Sequence, residues 1–488
     1  MKFDYPDDSL TLHTDAYELS MMQTYWKKGM GNRRAVFEAF FRKMPFNNGY
    51  AVFAGLDHII RYVKQLHFTD SDIEYLKSTN QFDDDFLEYL RNFKFTGSIN
   101  SFEEGDLVFN HEPIIQVDAP IIEGQLIETA ILNILNYQIM IATKASRIKS
   151  IVGKQTVMEF GSRRAQELDA ALWGTRAAYI GGFDATSNVR AGKLFGIPIS
   201  GTHAHALVQV YMNDYDAFKA YAETHHNCVF LVDTFDTLKS GVPNAIKVAK
   251  EFGDKINFIG VRIDSGDMAY LSKKVRKMLD DAGFTDAKII ASNGLDEKTI
   301  QNLQMQGAKI DTWGIGTKLI TAYDQPTLGA VYKLVAIEDE DGQLVDTIKI
   351  SNNVGKMSTP GKKQVWRIND RADRKSEGDY ITLVDEDPRN EKSLNMFNPN
   401  FPLQQKDVED FTARPMLKPI WQDGKYVYNE PTLEESRQHR FDSLNALWDE
   451  YKRDLNPEVY PVDLSQKCYD NKLKLIHQVH EYVKSLNK

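Results

Sequence analysis

Between residues 256 and 318 the sequence repeats one pattern three times. A short apolar run ends in glycine, hydroxyl and acidic residues, and the three copies read INFIGVRIDSGD, KIIASNGLD and DTWGIGTKL. Helix-like stretches separate the copies. This alternation is typical of β-α units in a parallel sheet or barrel, in which ligands bind at the C-terminal ends of the strands. We therefore expect the three polar ends to line one site.

The same rhythm extends towards the N-terminus and predicts seven barrel strands, each ended by polar or small residues. The predicted strands cover residues 157–160, 179–183, 197–200, 229–232, 258–263, 289–291 and 312–315. Strands that alternate with helical stretches indicate an α/β fold. We therefore predict an irregular α/β barrel over residues 121–335, with an N-terminal mixed α/β domain over residues 1–120 and a C-terminal region over residues 336–488.

The flanking segments carry their own patterns. Residues 15–26 have helical spacing, residues 35–41 read as a strand, residues 101–120 alternate like a small antiparallel sheet, and residues 121–151 are helical again. After the barrel, GAVYKLVAI and VDTIKIS flank the turn sequence EDEDG and predict a β-hairpin. Residues 385–402 are predicted to form a loop, and the tail from residue 472 an amphipathic helix.

Composition excludes several classes of protein. The 488 residues carry a net charge of −10, which disfavours general binding to nucleic acid or to anionic membranes. Two cysteines give no disulfide framework and fit a reducing compartment. We see neither an apolar leader nor eighteen uninterrupted apolar residues. The expectation is a cytoplasmic enzyme.

Two of the strand ends suit a sugar phosphate. Gly314, Gly316 and Thr317 form a glycine-rich turn whose backbone N–H groups and hydroxyl can hold an anion, although such a turn is also common as a simple strand-to-helix connection. Strand alternation places Arg262 and Asp264 on one face. The arginine could bind a carboxylate, while the aspartate could bind ribose hydroxyls or Mg²⁺, unless the two form only a buried ion pair.

Two further strand ends carry aromatic, basic and imidazole groups. Phe160 followed by Arg163 suits a flat anionic ring, by stacking and charge. His203 and His205 follow another predicted strand, and one of them could act as nucleophile or general base, oriented by Asp233. Three other roles stay open at this point. The two histidines could belong to a metal site completed by His225, His226 and Cys228, or one of them could be purely structural. The whole protein could also be a non-catalytic binding protein.

The chain resembles the nicotinate phosphoribosyltransferase family along nearly its whole length. The resemblance rests on eight segments, which read TDAYELSM, FGSRRAQ, GTHAHALV, VRIDSGD, ASNGLD, GIGTKL, PGKKQVWR and YPVDLSQKCY. It implies a type II phosphoribosyltransferase fold, usually dimeric. The implied reaction converts nicotinate and phosphoribosyl diphosphate to nicotinate mononucleotide and diphosphate. ATP hydrolysis drives it, with Mg²⁺ bound through substrate phosphates rather than by the protein.

The resemblance also implies roles for individual residues. His205 is similar to the histidine that ATP phosphorylates. Asp233 stays the second predicted catalytic residue because of its position after the next strand, not because of the resemblance. The nicotinate ring is expected between Phe160 and Tyr17 of a neighbouring subunit. The other expected nicotinate contacts are Thr202, Arg163 and Arg262, and the expected phosphoribosyl diphosphate contacts are Asp264, Ser292, Gly294, Gly316 and Thr317.

Alternative substrates and chemistries remain open from the sequence. A related transferase could use nicotinamide or quinolinate, but quinolinate carries two carboxylates and would need more cations than Arg163 and Arg262 supply. A metal-dependent barrel hydrolase built on His203 and His205 belongs to a different class. The family often has Met where His203 stands, so the resemblance assigns no role to that histidine.

Overall fold

The computed structural model describes residues 10–351 and 357–486. The chain divides into two compact units. Unit 1 comprises Met1–Met140 and Thr327–Lys488, and unit 2 comprises Ile141–Pro326. The predicted domains 1–120, 121–335 and 336–488 divide the chain at other positions and stay a prediction.

The α-helices lie in both units and are numbered in chain order. They are α1 (Ala16–Lys27), α2 (Leu56–Gln65), α3 (Asp70–Ser78), α4 (Asp84–Arg91), α5 (Ile121–Leu126), α6 (Glu128–Val152), α7 (Glu167–Ile180), α8 (Val189–Phe195), α9 (His205–Tyr211), α10 (Asp214–Thr224), α11 (Val242–Phe252), α12 (Met268–Asp281), α13 (Glu297–Met305), α14 (Thr317–Ile320), α15 (Leu433–Ala446) and α16 (Gln466–Ser485).

The strands are numbered in the same way. They are β1 (Arg34–Phe41), β2 (Ala51–Val52), β3 (Ser98–Ser101), β4 (Leu107–Val108), β5 (Ile115–Pro120), β6 (Thr156–Glu159), β7 (Ala185–Thr186), β8 (Asn227–Leu231), β9 (Asn257–Ile263), β10 (Lys288–Ser292), β11 (Thr312–Ile315), β12 (Ala330–Glu338), β13 (Leu344–Asp346), β14 (Lys363–Asp370), β15 (Ser376–Leu383), β16 (Ser393–Phe397), β17 (Gln405–Glu409), β18 (Phe411–Pro415), β19 (Lys418–Gln422), β20 (Lys425–Tyr426) and β21 (Val462–Leu464).

Unit 2 is built around a six-stranded sheet with the order β7-β6-β11-β10-β9-β8. Every neighbouring pair is parallel, and a parallel bridge between Thr186 and Ile199 extends the sheet beyond β7. The sheet curls into a half-barrel, which confirms the predicted α/β fold with an irregular barrel. Because the strands are parallel, all their C-terminal ends meet at one edge.

Five of the seven predicted barrel strands correspond to β6, β8, β9, β10 and β11. The predicted strand at 179–183 is wrong, because Tyr179 and the fully buried Ile180 are the last two residues of helix α7, and residues 181–183 form the turn that follows it. The strand that pairs with β6 is the two-residue β7 instead. The predicted strand at 197–200 contributes only the single bridge at Ile199.

Helices α10, α11 and α12 bury one face against β8, β9 and β10 and form the core of unit 2. Phe218 and Phe230 stack there with ring centroids 4.8 Å apart. Val261 and Ile289, from adjacent strands, are fully buried in the same cluster. Each such side chain contributes about 1.5–3 kcal/mol by leaving water, so this core fixes the strands whose ends carry the polar residues.

Unit 1 contains a seven-stranded sheet with the order β13-β12-β1-β5-β3-β19-β20. The predicted helix at 15–26 is α1, the predicted strand at 35–41 is β1, and the predicted hairpin is β12–β13, all confirmed. The antiparallel pairing of β3 and β5 confirms the sheet predicted near 101–120, and the helical tail is α16. The loop predicted at 385–402 is wrong in part, because β16 forms there and pairs with β17.

One helical stretch among the described residues, Ile121–Val152, is long and apolar enough to cross a membrane by length and composition. Of its most apolar window, 67% is buried inside the protein. A core helix passes the same test of length and composition, so this stretch is weak evidence for a membrane span.

Candidate active site

The polar residues that follow the parallel strands gather at one edge of the unit 2 sheet. Phe160 follows β6, Asp233 follows β8, Asp264 follows β9, Ser292 ends β10 and Thr317 follows β11. The segment Thr202–His205 enters the same edge after the bridge at Ile199 and connects to α9. The structure therefore brings together the strand ends from which the site was predicted.

Arg262 connects β9 to the histidine segment. Its Nη1 donates a hydrogen bond to Thr202 Oγ1 at 2.8 Å, and its Nη2 donates to the backbone oxygen of His203 at 3.0 Å. Its Nε is buried without a hydrogen-bond partner among the described residues. Burial lowers the pKa of Arg262, and the charge of Arg163 adds to this, while Asp264 and Asp233 oppose it. A partly desolvated guanidinium with a donor to spare is suited to an anionic ligand.

His205 is the first residue of α9, and its side chain is 40% exposed. Nδ1 lies 3.0 Å from Thr234 Oγ1, and Nε2 lies 4.0 Å from Asp264 Oδ2. When Nδ1 carries the proton and donates it to the Thr234 hydroxyl, Nε2 keeps its lone pair and faces the edge of the sheet. The ring is therefore oriented for attack or proton transfer through Nε2.

Asp233 has a different partner from the one predicted. Its Oδ2 accepts hydrogen bonds from the backbone N–H of Asp264 at 2.9 Å and from Ser265 Oγ at 2.6 Å. The prediction that Asp233 orients His205 is corrected, because Thr234 occupies that position. Asp233 instead holds the loop that follows β9.

Asp264 lies at the centre of the site. Its Oδ1 accepts a hydrogen bond from Ser292 Oγ, and its backbone oxygen accepts one from Asn293 Nδ2 at 3.1 Å. Gly294 follows in an exposed turn. The structure thus brings Asp264, Ser292 and Gly294 together, as predicted for residues that hold one ligand.

The ring of Phe160 packs against β11 at Gly314. A Cβ built on Gly314 would lie 2.6 Å from both Cδ2 and Cε2 of the Phe160 ring, closer than any real contact. The absence of a side chain at Gly314 therefore allows the ring to reach the strand. Phe160 is half-buried and presents an aromatic surface at the same edge, while Arg163 is exposed on the short turn that follows.

Gly316 and Thr317 begin α14 at the end of β11. A Cβ on Gly316 would lie 2.9 Å from the backbone oxygen of Phe160, so this turn also packs closely on the segment after β6. Thr317 is exposed, whereas the neighbouring Lys318 donates to Asp296 Oδ2 at 2.6 Å and is engaged. Thr317 is therefore the accessible group of this turn.

Tyr17 is the predicted site residue that lies in unit 1. It is half-exposed on α1. Burial of its hydroxyl and a hydrogen bond with Glu18 raise the pKa of Tyr17, and burial likewise raises the pKa of Glu18 to about 7. Its phenol is thus neutral at physiological pH, and its stacking role stays a prediction.

His203 is a structural residue. Its Nε2 accepts a hydrogen bond from the backbone N–H of Leu231 at 3.2 Å, so the proton sits on Nδ1, 3.3 Å from the backbone oxygen of Ala204. Burial lowers the pKa of His203 to about 4. Its ring also packs on Tyr221 and Phe218. With both nitrogens engaged, His203 has no lone pair to offer a metal.

The other two histidines of the predicted metal site also lie within hydrogen-bond distance of backbone oxygens. Nδ1 of His225 lies 3.2 Å from the backbone oxygen of Tyr221, and Nδ1 of His226 lies 3.3 Å from that of Lys255. Among residues 10–351 and 357–486, the side chains close enough to share an ion are Glu103, Asp106 and His439 of unit 1. The geometry gives no support to a hydrolase site built on His203 and His205.

Two functional residues escaped the sequence analysis. Thr234 orients His205, and its only sequence signal is a hydroxyl directly after a strand. Glu159 is buried at the end of β6, where its carboxylate accepts hydrogen bonds from the backbone of Gly161 and from Thr175 and Thr186. Burial raises the pKa of Glu159, and these three donors oppose the rise. Glu159 thereby fixes the turn that carries Phe160.

Solved structures share this fold. The crystal structure of human nicotinic acid phosphoribosyltransferase superposes with a TM-score of 0.84 at 28% identity, over 95% of this chain and 99% of that one. The crystal structure of nicotinate-nucleotide pyrophosphorylase from Pyrococcus furiosus gives 0.69 at 23% identity, over 91% and 99%, and shows the fold alone. The half-barrel and its edge of aromatic, basic and imidazole groups define a phosphoribosyltransferase of the α/β-barrel class.

Sequence comparison assigns the family. The chain matches the nicotinate phosphoribosyltransferase N-terminal domain over residues 12–136, the nicotinate phosphoribosyltransferase family over 155–375 and the C-terminal domain over 362–472. It is 60% identical over 479 residues to the nicotinate phosphoribosyltransferase of Bacillus subtilis strain 168, covering 98% of both chains. The human enzyme is 31% identical over 516 residues, covering 93% and 95%. The chain belongs to the nicotinate phosphoribosyltransferase family.

Proposed function

We propose that this enzyme transfers the phosphoribosyl group of 5-phosphoribosyl 1-diphosphate to nicotinate, and that ATP hydrolysis drives the transfer through phosphorylation of His205. The products are nicotinate mononucleotide and diphosphate, in NAD salvage. Family membership supports the transfer. The observation that carries the coupling is the position of His205, whose Nε2 faces Asp264 at 4.0 Å at the edge of the sheet.

Nicotinate binds through an aromatic surface and a cation. The pyridine ring stacks on Phe160, whose ring packs against Gly314. Arg262 binds the carboxylate with help from Thr202, whose hydroxyl already accepts from Nη1, and Arg163 adds a second positive charge. In a homodimer, Tyr17 of the partner subunit covers the other face of the ring. One carboxylate matches this set of cations, which favours nicotinate over the doubly charged quinolinate.

Phosphoribosyl diphosphate binds along the strand ends. Asp264 and Ser292 hold the ribose hydroxyls, while Gly294, Gly316 and Thr317 surround the phosphates with backbone N–H groups and a hydroxyl. These groups align the ring nitrogen, C1 of the ribose and the leaving diphosphate, so that catalysis comes from position and charge.

The donor set fits Mg²⁺. Asp233 Oδ1 is buried without a hydrogen-bond partner among the described residues, and Asp233 Oδ2 accepts a hydrogen bond from the backbone N–H of Asp264, the other carboxylate residue of this edge. Such hard oxygen atoms, with the phosphates of the substrate, are the ligands that Mg²⁺ prefers. When bound, the ion would neutralise charge on the departing diphosphate. The ion would then enter with the substrate phosphates, and Asp233 and Asp264 would supply oxygen atoms beside it rather than enclose it.

Phosphorylation of His205 connects ATP to this site. The Nε2 lone pair attacks the γ-phosphorus of ATP, the bond to the ADP oxygen breaks, and water later returns the phosphoryl group as inorganic phosphate. The phosphoryl group adds about two negative charges within reach of the Asp264 carboxylate. Because Asp264 also binds Ser292 and Asn293, this repulsion changes the loop that holds phosphoribosyl diphosphate.

The test compares His205→Ala with His225→Ala, an exposed histidine of the same unit. Nicotinate mononucleotide formation is measured with and without ATP, alongside ADP release. We expect His205→Ala to abolish ADP release and ATP stimulation while keeping slow ATP-independent transfer, and His225→Ala to behave like the wild type. Equal loss of both activities in His205→Ala would contradict the coupling role, and a preference for nicotinamide as acceptor would contradict the substrate assignment.

A further inference from the structure

A cavity of about 610 Å³ lies within unit 1. Its walls come from strands β1, β14, β15 and β21, from helix α16 and from the turn that carries His111. All the predicted catalytic and substrate-binding residues except Tyr17 lie in unit 2, and Tyr17 does not line this cavity. None of the residues assigned above to the transfer therefore lines the cavity.

An unpaired carboxylate lines the cavity. Asp463 on β21 is only 6% exposed, and its side chain has no hydrogen-bond partner within the described ranges. Burial raises the pKa of Asp463 to about 6, and Lys406 opposes the rise. Lys406 itself binds the carboxylate and the backbone oxygen of Glu377. A buried, unpaired acid is costly to the folded state unless a ligand supplies its partner.

A second part of the lining offers positive charge and N–H donors. Within residues 10–351 and 357–486, the ammonium of Lys472, on α16, has a single long contact, with Thr359 Oγ1 at 3.4 Å, so most of its three donors have no partner there. His111 lies near it, because Lys472 is one of the charges that, after burial, lower the pKa of His111. The ammonium of Lys363, by contrast, binds the carboxylate of Glu38 and donates to the backbone oxygens of Thr359 and Gly361. Lys472 and His111 are the available donors.

The acidic and basic groups are separated. Asp463 is in β21, which ends two residues before α16 begins, and Lys472 lies six residues into that helix. A rise of 1.5 Å per residue places Lys472 roughly 9 Å along the helix axis. Consistent with this distance, Lys406 and not Lys472 is the charge that acts on Asp463.

We propose that this cavity is a binding site for a small zwitterion. Lys472 and His111 bind its carboxylate or phosphate, and Asp463 binds a cationic group at its other end. Amide side chains that also line the cavity, Asn110, Asn398 and Gln404, hydrogen-bond the polar atoms between the two ends. The proposal uses none of the residues assigned to the transfer, so it holds whether or not the proposed ATP coupling is correct.

Calorimetric titration of the full-length enzyme tests the two-ended chemistry. The probes are ω-amino carboxylates and ω-aminoalkyl phosphates of increasing chain length, with the matching alkylamine, carboxylate and alkyl phosphate as half-probes. Nicotinate mononucleotide is present at saturation to occupy the catalytic site. We expect one chain length to bind at least tenfold more tightly than either half, and the two series to show whether carboxylate or phosphate is preferred.

Variants locate the binding. Asp463→Asn should remove the additional affinity that the ammonium group gives the zwitterion, and Lys472→Met should remove the additional affinity that its anionic group gives. The controls Asp470→Asn and Lys474→Met, at exposed positions on α16, should change neither. Asp463→Asn should also keep or raise the melting temperature, since it removes an unpaired buried charge. The proposal is wrong if no zwitterion exceeds its halves, or if the gain survives in folded Asp463→Asn and Lys472→Met.

Discussion

At the scale of single residues, Asp264 links the separate parts of the site. Its backbone N–H is held by Asp233, its carboxylate accepts from Ser292, and it faces the imidazole of His205. Any change of charge on the imidazole therefore acts on a carboxylate that is tied to two strand ends. This arrangement explains how events at one side chain can alter the binding of a ligand at another.

The Thr234 hydroxyl provides a test of this arrangement. Thr234→Val keeps the shape of the side chain but removes the partner of His205 Nδ1. One hydrogen bond contributes about 0.5–1.5 kcal/mol, so we expect the ATP-stimulated rate to fall about tenfold while ATP-independent transfer is kept. Steady-state assays with and without ATP measure both, and Thr234→Ser should restore most of the loss. Equal rates in the valine and serine variants would contradict the role.

The sequence predicted which strand ends carry the site but not every partner. Arg262 and Asp264 were placed on one face by strand alternation, and both do approach the segment Thr202–His205. The interpretation that Asp233 orients His205 missed Thr234, because both residues follow the end of β8, where the alternation rule no longer applies. Only the folded loop decides which of two adjacent side chains meets the histidine.

At the scale of elements, a barrel strand could be predicted from the sequence where polar residues ended a short apolar run. The five confirmed barrel strands all have this form. The failure at 179–183 arose because α7 ends in small apolar residues that are buried on all sides, so its period could not be told from that of a buried strand. The strand β16 was hidden in a segment rich in asparagine and aspartate, and pairing with β17 stabilises it.

Gly260 in β9 gives a prediction at this scale. A Cβ at this position would lie 1.9 Å from the backbone oxygen of Lys288 in β10, and the φ of +154° is one that side chains rarely adopt. We expect Gly260→Ala to lower the free energy of unfolding by about 3 kcal/mol or more, measured by denaturant titration. Gly201→Ala, with open space around the added carbon, is the control and should cost little. A small effect of Gly260→Ala would show that β9 and β10 can separate without loss of stability.

At the scale of the whole molecule, distant parts of the chain build one sheet. In unit 1, β1, β3 and β5 from the N-terminal part pair with β12 and β19 from the C-terminal part. No local pattern specifies such partners, which is why the sequence predicted β1 and the β12–β13 hairpin without their order in the sheet, and did not predict β19. Pairings so far apart along the chain also imply slow folding.

The stability of the molecule should depend on pH through His203. The pKa of His203 is about 4 in the folded state, against an ordinary value of 6.5, so the unfolded chain binds the proton more tightly. Stability from this residue is complete above about pH 6.5 and is lost as the pH falls towards 4, by about 3 kcal/mol. Denaturant unfolding at about pH 7.5 and about pH 5 measures the loss, and His203→Gln should reduce it. An unchanged pH dependence in that variant would contradict the assignment.

The proposed sharing of sites between subunits is testable by mixing. Tyr17→Ala and Arg262→Ala should each be nearly inactive as pure proteins. Subunit exchange should restore activity at about a quarter of the sites, because half of the random dimers pair one variant with the other and each then holds one intact site. Activity before and after co-refolding is the measurement. Failure to regain activity, with dimers shown by light scattering, would place Tyr17 in its own subunit's site.

The contact between Phe160 and Gly314 limits how the proposed acceptor pocket could be redesigned. Because Gly314 has no β-carbon, the Phe160 ring already contacts the backbone of the strand. Extra room for bulkier heteroaromatic acceptors must therefore be created by shrinking position 160. A side chain at position 314 would displace the Phe160 ring from the strand towards the proposed acceptor and would leave less space for it.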